Sequence, residues 1–303
     1  MWRGVWRAVG VTALVFTACF IAILGMLVFG EPGGLALGGN RVAVVEVEGL
    51  IVDAERVVRE LEEHVEDPSV RAIVVRIQSP GGLVAPTQEI YDAITRARGR
   101  DKPVVASMGA VAASGGYYLA TASTRIVANP GTLTGSIGVI MQLPEIEGLL
   151  KKVGVRYEVI KAGRHKDVGS IARPMTAEER TILQGLLDDV YDQFVTAVAK
   201  GRNLERQAVL ALADGRVYSG RRARELSLVD ELGGLEEAVR VAGELAGIPG
   251  KPRVVRPRRP FRLTDVLDWL GTRMSLGGIM SGAPGLPAVP VLGSAKVPLY
   301  LMD

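Results

Sequence analysis

The chain has 303 residues, 48% of them hydrophobic, with one cysteine, two histidines and a formal net charge of +3; its mean hydropathy of +0.23 is high for a purely soluble protein and points to a segment meant for lipid. This length suits one large domain with appendages, the lone Cys19 excludes an internal disulfide, and one Cys with two His excludes a metal site of Cys/His type. The basic residues concentrate in 251–262 (Lys251, Arg253, Arg256, Arg258, Arg259, Arg262), which leaves no broad basic face for nucleic acid.

In chain order, residues 8–30 carry no charge. As a helix rising about 1.5 Å per residue, such a run crosses a hydrocarbon core of roughly 30 Å. Arg3 and Arg7 precede it and Glu31 follows, so the expectation is a single-pass anchor in the cell membrane. Residues 1–7 would lie in the cytoplasm and the remainder would be extracytoplasmic. A cleaved signal peptide would have a shorter apolar run, about 7–15 residues, and a small-x-small site, which Glu31-Pro32-Gly33-Gly34 does not supply. Cys19, in mid-run, reads as a small membrane residue.

Residues 31–40 form a Gly-rich linker, after which strands and helices alternate. Strands are predicted over 41–48, 71–78, 103–108, 125–128, 137–141 and 156–161. Helices are predicted over 54–66, 86–98 and from about 114. Thr176 with Glu179 forms a capping box for a long helix to about 200, and shorter helices run to about 247. The alternation, with strands apolar on both faces, predicts an α/β domain over 41–250, its mostly parallel sheet covered by helices. Residues 251–303 read as a basic, Pro/Gly-rich, poorly packed tail. Its basic run suits anionic headgroups; alternatively its apolar tip, 297–302, enters a substrate groove and is trimmed there.

Two turns carry candidate chemistry. In Ala112-Ala113-Ser114-Gly115-Gly116-Tyr117-Tyr118, the serine stands at a strand-to-helix turn, where free N–H groups and the helix dipole favour negative charge. The alternative is a serine helix cap, since the full G-x-S-x-G pattern is lacking. Ser79-Pro80-Gly81-Gly82 follows a buried strand and presents either oxyanion donors or a plain turn. A base for Ser114 is open between two neighbours, His165 and Lys166; His64 sits among acids and reads as a surface residue. A lysine must be neutral to accept a proton. Its ordinary pKa is about 10.4, and burial depresses such a group by up to about 3–5 units.

Taken together, Ser79–Gly82, Ala112–Tyr118, Leu133–Met141 (LTGSIGVIM) and Lys166–Thr176 (KDVGSIARPMT) resemble, in order and approximate spacing, the signal peptide peptidase A family of bacterial serine peptidases, short single-domain type. The resemblance covers roughly residues 41–247. It implies a ClpP/crotonase-like fold and a Ser/Lys dyad, with Ser114 as nucleophile and Lys166 as base. Ser136 corresponds to the serine that hydrogen-bonds the lysine. Gly82, with Gly115, corresponds to the oxyanion donors, and Gly81 is the neighbouring alternative to Gly82. The resemblance further implies remnant signal peptides and other membrane-released peptides as substrates, with small or apolar side chains near the cut, and no cofactor. It also implies a homo-oligomer, commonly of eight subunits, with parts of the site shared between neighbours. The competing readings are a crotonase-type acyl-CoA enzyme and a non-catalytic membrane scaffold of the same fold.

Overall fold

A computed structural model describes Thr17 and residues 40–256. The predicted anchor (Thr17 apart) and the tail beyond 256 lie outside the described residues. Among those described, no helix is long and apolar enough to cross a membrane.

The sheet forms where β-branched residues run in sequence. β1 (Arg41–Glu48), β2 (Val70–Ser79) and β3 (Val104–Ala113) pair in parallel, and their valines and isoleucines, Val111 apart, are buried on both faces, as parallel strands covered by helices require. Beyond them lie β4 (Arg125–Ala128), β5 (Leu133–Gly135), β6 (Val217–Ser219), β7 (Glu231–Leu232) and β8 (Arg253–Val255). The order is β6-β5-β3-β2-β1-β8, with β4 pairing β3 and β7. Among the described residues only β5 and β6 run antiparallel.

The helices are α1 (Glu55–Glu66), α2 (Val84–Arg98), α3 (Gly115–Thr121), α4 (Glu147–Lys152), α5 (Ala177–Arg202), α6 (Arg206–Leu210), α7 (Gly220–Glu225) and α8 (Leu235–Leu245). One sheet face, with Val42, Val44, Val74 and Val105, packs on Ala238, Val241 and Ala242 of α8. The other, with Val45, Val75, Ile77 and Met108, packs on Leu61 of α1, Ile90 and Ile94 of α2, and Tyr117 of α3. Each of the valine, leucine, isoleucine and methionine side chains contributes about 1.5–3 kcal/mol by leaving water.

β3 serves two ladders along one edge. Residues Val105–Met108 pair with β4 and Val111–Ala113 with β5. Between them the register against β2 shifts, and the backbone groups released are taken by side chains: Ala110 N–H donates to Gln78 Oε1 at 2.7 Å, and Gly109 O accepts from Thr132 Oγ1 at 2.7 Å. The strand thereby runs five residues past its predicted end at 108 and delivers Ser114 directly to the start of α3.

Three expectations are corrected. No strand forms over 137–141: Ile137 is buried, but Ile140 is 60% exposed. None forms over 156–161, where Tyr157 and Ile160 face outward, Ile160 at 95% exposure. Both stretches have strand-forming residues, but among the described residues neither joins a ladder: the pairing that reaches Ile137, whose C=O accepts from Gly215 N–H at 3.1 Å, stops there. Conversely, Arg253–Val255, assigned to the tail, pairs in parallel with Arg41–Ala43.

Candidate active site

Ser114 is the residue between β3 and α3. Its backbone has φ 51° and ψ −121°, the conformation of the first central position of a type II′ turn, where glycine normally stands. For a residue with a Cβ this costs roughly 1–3 kcal/mol. Its N–H donates to Gly135 O at 2.8 Å and its C=O accepts from Tyr118 N–H at 2.9 Å, so the strain is held from both sides. Its side chain makes no capping hydrogen bond. The helix-cap reading is therefore excluded, and the hydroxyl is left available at a helix start.

The Ser79–Gly82 turn packs against this start. Gly81, at φ +114°, occupies backbone space that side chains avoid, and its N–H donates to the buried Ser79 Oγ at 3.1 Å. A parallel bridge joins Gly82 to Ile51: Ile51 N–H donates to Gly81 O at 2.9 Å, and Leu83 N–H to Ile51 O at 2.8 Å. The approach is so close that a Cβ on Gly82 would stand 2.1 Å from Ile51 O. Gly82 N–H itself donates to no acceptor among the described residues. Gly115 opens α3, so its N–H has no intrahelical acceptor; a Cβ on Gly115 would stand 3.4 Å from Gly82 N. Two uncommitted amides thus lie side by side at the Ser114 turn. Gly81, whose amide is already bonded, is not one of them.

Ser136 follows Gly135, the residue whose carbonyl accepts Ser114 N–H. It too has positive φ, 50°, and its N–H donates to Arg216 O at 2.9 Å. Backbone bonds therefore bring Ser136 into the group with Ser114, Gly115 and Gly82. Lys166 is not joined to it. The Lys166 side chain is exposed and makes no hydrogen bond or ion pair among the described residues.

The turn that carries Lys166 is tied down around it. Asp167 pairs with Lys161 and accepts from Arg173 Nε at 3.0 Å. Arg173 also binds Glu179 through its two terminal guanidinium nitrogens, Nη1 donating to Oε2 at 2.9 Å. Glu179 is buried and completes the capping box with Thr176, as the spacing predicts. Hydrogen bonds from Lys161 and then Arg173 hold Asp167 below the usual carboxylate range. Those from Arg173 first, and the Thr176 amide next, hold Glu179 at about 2.

Neither histidine joins the serine. His165 Nε2 lies 3.6 Å from Glu178 Oε1. His64 corrects the surface reading: it is half-buried on α1, its Nε2 is enclosed without a partner among the described residues, and burial pushes its pKa down.

With this geometry in view, similarity to known proteins becomes informative. Residues 96–249 match peptidase family S49, a span that includes Ser114, Ser136 and Lys166. A Synechocystis sp. protein provisionally named a protease is 47% identical over 210 residues, 69% of this chain and 76% of the relative. The chain belongs to peptidase family S49. Other relatives of this S49 chain are much longer. Protease 4 of Haemophilus influenzae is 36% identical over 215 residues, 68% of this chain but 35% of its own length. The chloroplastic serine protease SPPA of Arabidopsis thaliana is 32% identical over 256 residues, 79% and 38% respectively.

Sequence reasoning assigned no part to three residues that the structure ties into these turns: Ser79, Asp167 and Arg173. All three stand within segments already singled out, but a polar or charged residue in such a turn gives no sign of its partner. Arg173 carried a weak signal, a cation six residues before a capping-box glutamate.

Proposed function

We propose that this S49 chain is a membrane-anchored serine endopeptidase of ClpP/crotonase-like fold, working through a Ser114/Lys166 dyad on remnant signal peptides and other membrane-associated peptides. The observation that carries the reading is Ser114, held in a conformation costly to a serine and relieved of any capping bond, beside two uncommitted amides. A residue kept under local strain when glycine would fit better marks a functional constraint.

In this reading the Ser114 hydroxyl attacks the scissile carbonyl and passes its proton to Lys166. The N–H groups of Gly82 and Gly115 donate to the developing oxyanion; one such donor is worth about 10²–10³ in rate. Lys166 returns the proton to the leaving amine, and a water then hydrolyses the acyl-enzyme with Lys166 again as base. Ser136 accepts from the Lys166 ammonium and orients it, the part that aspartate plays in a triad. The chemistry draws only on side chains and backbone amides.

Lys166 reaches Ser114 in an assembly. Exposed apolar side chains on 140–160, among them Ile140, Leu149, Tyr157 and Ile160, and on the outer face of α5, Ile182 and Leu186, support a homo-oligomer that covers them. A ring of eight, as in the short family type, would bring parts of one site from neighbouring subunits. Residues 8–30 anchor the assembly, with the peptidase domain on the extracytoplasmic side. Leu83, Val84 and Leu133, exposed near the Ser114 turn, suit substrates with apolar or small side chains near the cut.

The test is peptide cleavage by the full chain in detergent, with fluorophosphonate labelling of the serine. Ser114→Ala abolishes both signals, Lys166→Ala lowers turnover by roughly 10³-fold or more, and His165→Ala retains near wild-type turnover. A folded Lys166→Ala protein with normal activity would overturn the dyad. Absence of labelling in the wild type, with acyl-CoA turnover in its place, would overturn the peptidase reading.

A further inference from the structure

The Lys166 turn contains four lysine and arginine side chains between residues 161 and 173, and three of them are paired. Lys161 binds Asp167, Arg164 binds Glu178, and Arg173 binds Asp167 and Glu179. Lys166 alone among these four has no partner among the described residues. Of the residues on either side of it, Asp167 is bound to Arg173 and His165 lies 3.6 Å from Glu178. A turn without strand or helix to fix it is thus fastened next to the free lysine. The fastening leads to a buried point: Arg173 bridges the Asp167 carboxylate to Glu179, which is 4% exposed and itself locks the first turn of α5 through Thr176. Arg173 Nη2 also donates to Asp167 O at 3.4 Å, so the guanidinium holds both the side chain and the main chain of the residue that follows Lys166.

We propose that Asp167, Arg173 and Glu179 are positioning residues. They form a carboxylate–guanidinium–carboxylate clamp that fixes the Lys166 turn on the start of α5 and presents the lysine for proton transfer. The proposal rests on Lys166 being the base. A fork of planar donors between two carboxylates sets orientation as well as distance, which a point charge in place of arginine does not. Since a displacement of about 1 Å at a reacting group can cost 10²-fold, loosening the clamp acts on turnover and not on peptide binding.

The experiment measures kcat and KM for peptide cleavage by the full chain in detergent, with thermal melting and sedimentation as checks of fold and assembly. Arg173→Gln is expected to lower kcat roughly 10- to 100-fold with KM within about twofold, and Arg173→Lys to recover only part of the loss. Asp167→Asn leaves the Arg173–Glu179 pair and the helix cap intact, so it reads the clamp even if Arg173→Gln fails to fold; it should lower kcat in the same way. In the Lys166→Ala background, Asp167→Asn should change the residual rate no further. Unchanged kcat in a folded, assembled Asp167→Asn protein overturns the clamp while leaving the dyad standing. Full activity of Lys166→Ala removes the base, and the clamp with it. A fall in melting temperature with kcat and KM unmoved would show the three residues to be structural only.

Discussion

At Ser114 local stability and chemistry conflict, and the conflict is measurable. Glycine adopts φ 51°, ψ −121° without steric cost, whereas alanine retains the strain that serine bears. Ser114→Gly should therefore be more stable than Ser114→Ala by about 1 kcal/mol in denaturant melts, allowing for the greater freedom of glycine in the unfolded chain. Both variants should be inactive. A glycine variant less stable than the alanine variant would show that the backbone is not strained there. Much of this site is legible in the sequence: the serine between small residues, the paired glycines and the Lys-Asp turn mark its parts. Whether that serine caps the helix is not legible, because a capping serine and an uncommitted one have the same sequence, and only the unmade capping bond excludes the cap. The choice between Gly81 and Gly82 depends on Ser79, whose hydroxyl engages one amide and leaves the next uncommitted.

Among the elements, the long helix α5 was readable at its start, since Thr176 and Glu179 stand at capping-box spacing. Its ionic setting was not, since Arg173 lies outside the helix. That setting gives a definite pH dependence. Glu179 titrates at about 2 when folded, against an ordinary 4.5, so the folded chain binds fewer protons than the unfolded chain between these values. The stabilisation is complete above pH 4.5 and is lost as pH falls toward 2. Denaturation midpoints measured from pH 5 to pH 3 should fall less steeply for Glu179→Gln than for the wild type; equal slopes would show that Glu179 carries no such linkage. Strand prediction failed at 137–141 and 156–161 for a different reason. Valine, isoleucine and tyrosine report fitness for a pleated surface, but a strand also needs an edge to pair with, and that is a property of the fold and not of the segment.

For the whole molecule, the alternation of strands and helices gave the α/β class and the parallel core, while the branching of β3 between two ladders left no local trace. The exposed apolar side chains belong to this scale as well. If the subunits assemble over residues 140–160, Ile160→Asp, which replaces a side chain 95% exposed in the single chain, should leave the subunit fold intact, yield smaller species in sedimentation and lower activity in parallel. Unchanged assembly would place the contact elsewhere.

The side-chain plugs in β3 have a consequence for fidelity during folding. A strand that slips by one residue exchanges its two faces, and here a slip would turn Ser114 away from the Gly82 amide. It would also detach Ala110 N–H from Gln78 and Gly109 O from Thr132, at about 1–3 kcal/mol for each group left unpaired. Misregistered chains are thus penalised at the same point where the error would displace Ser114: two polar side chains, Gln78 and Thr132, proofread the placement of that serine as the strand forms.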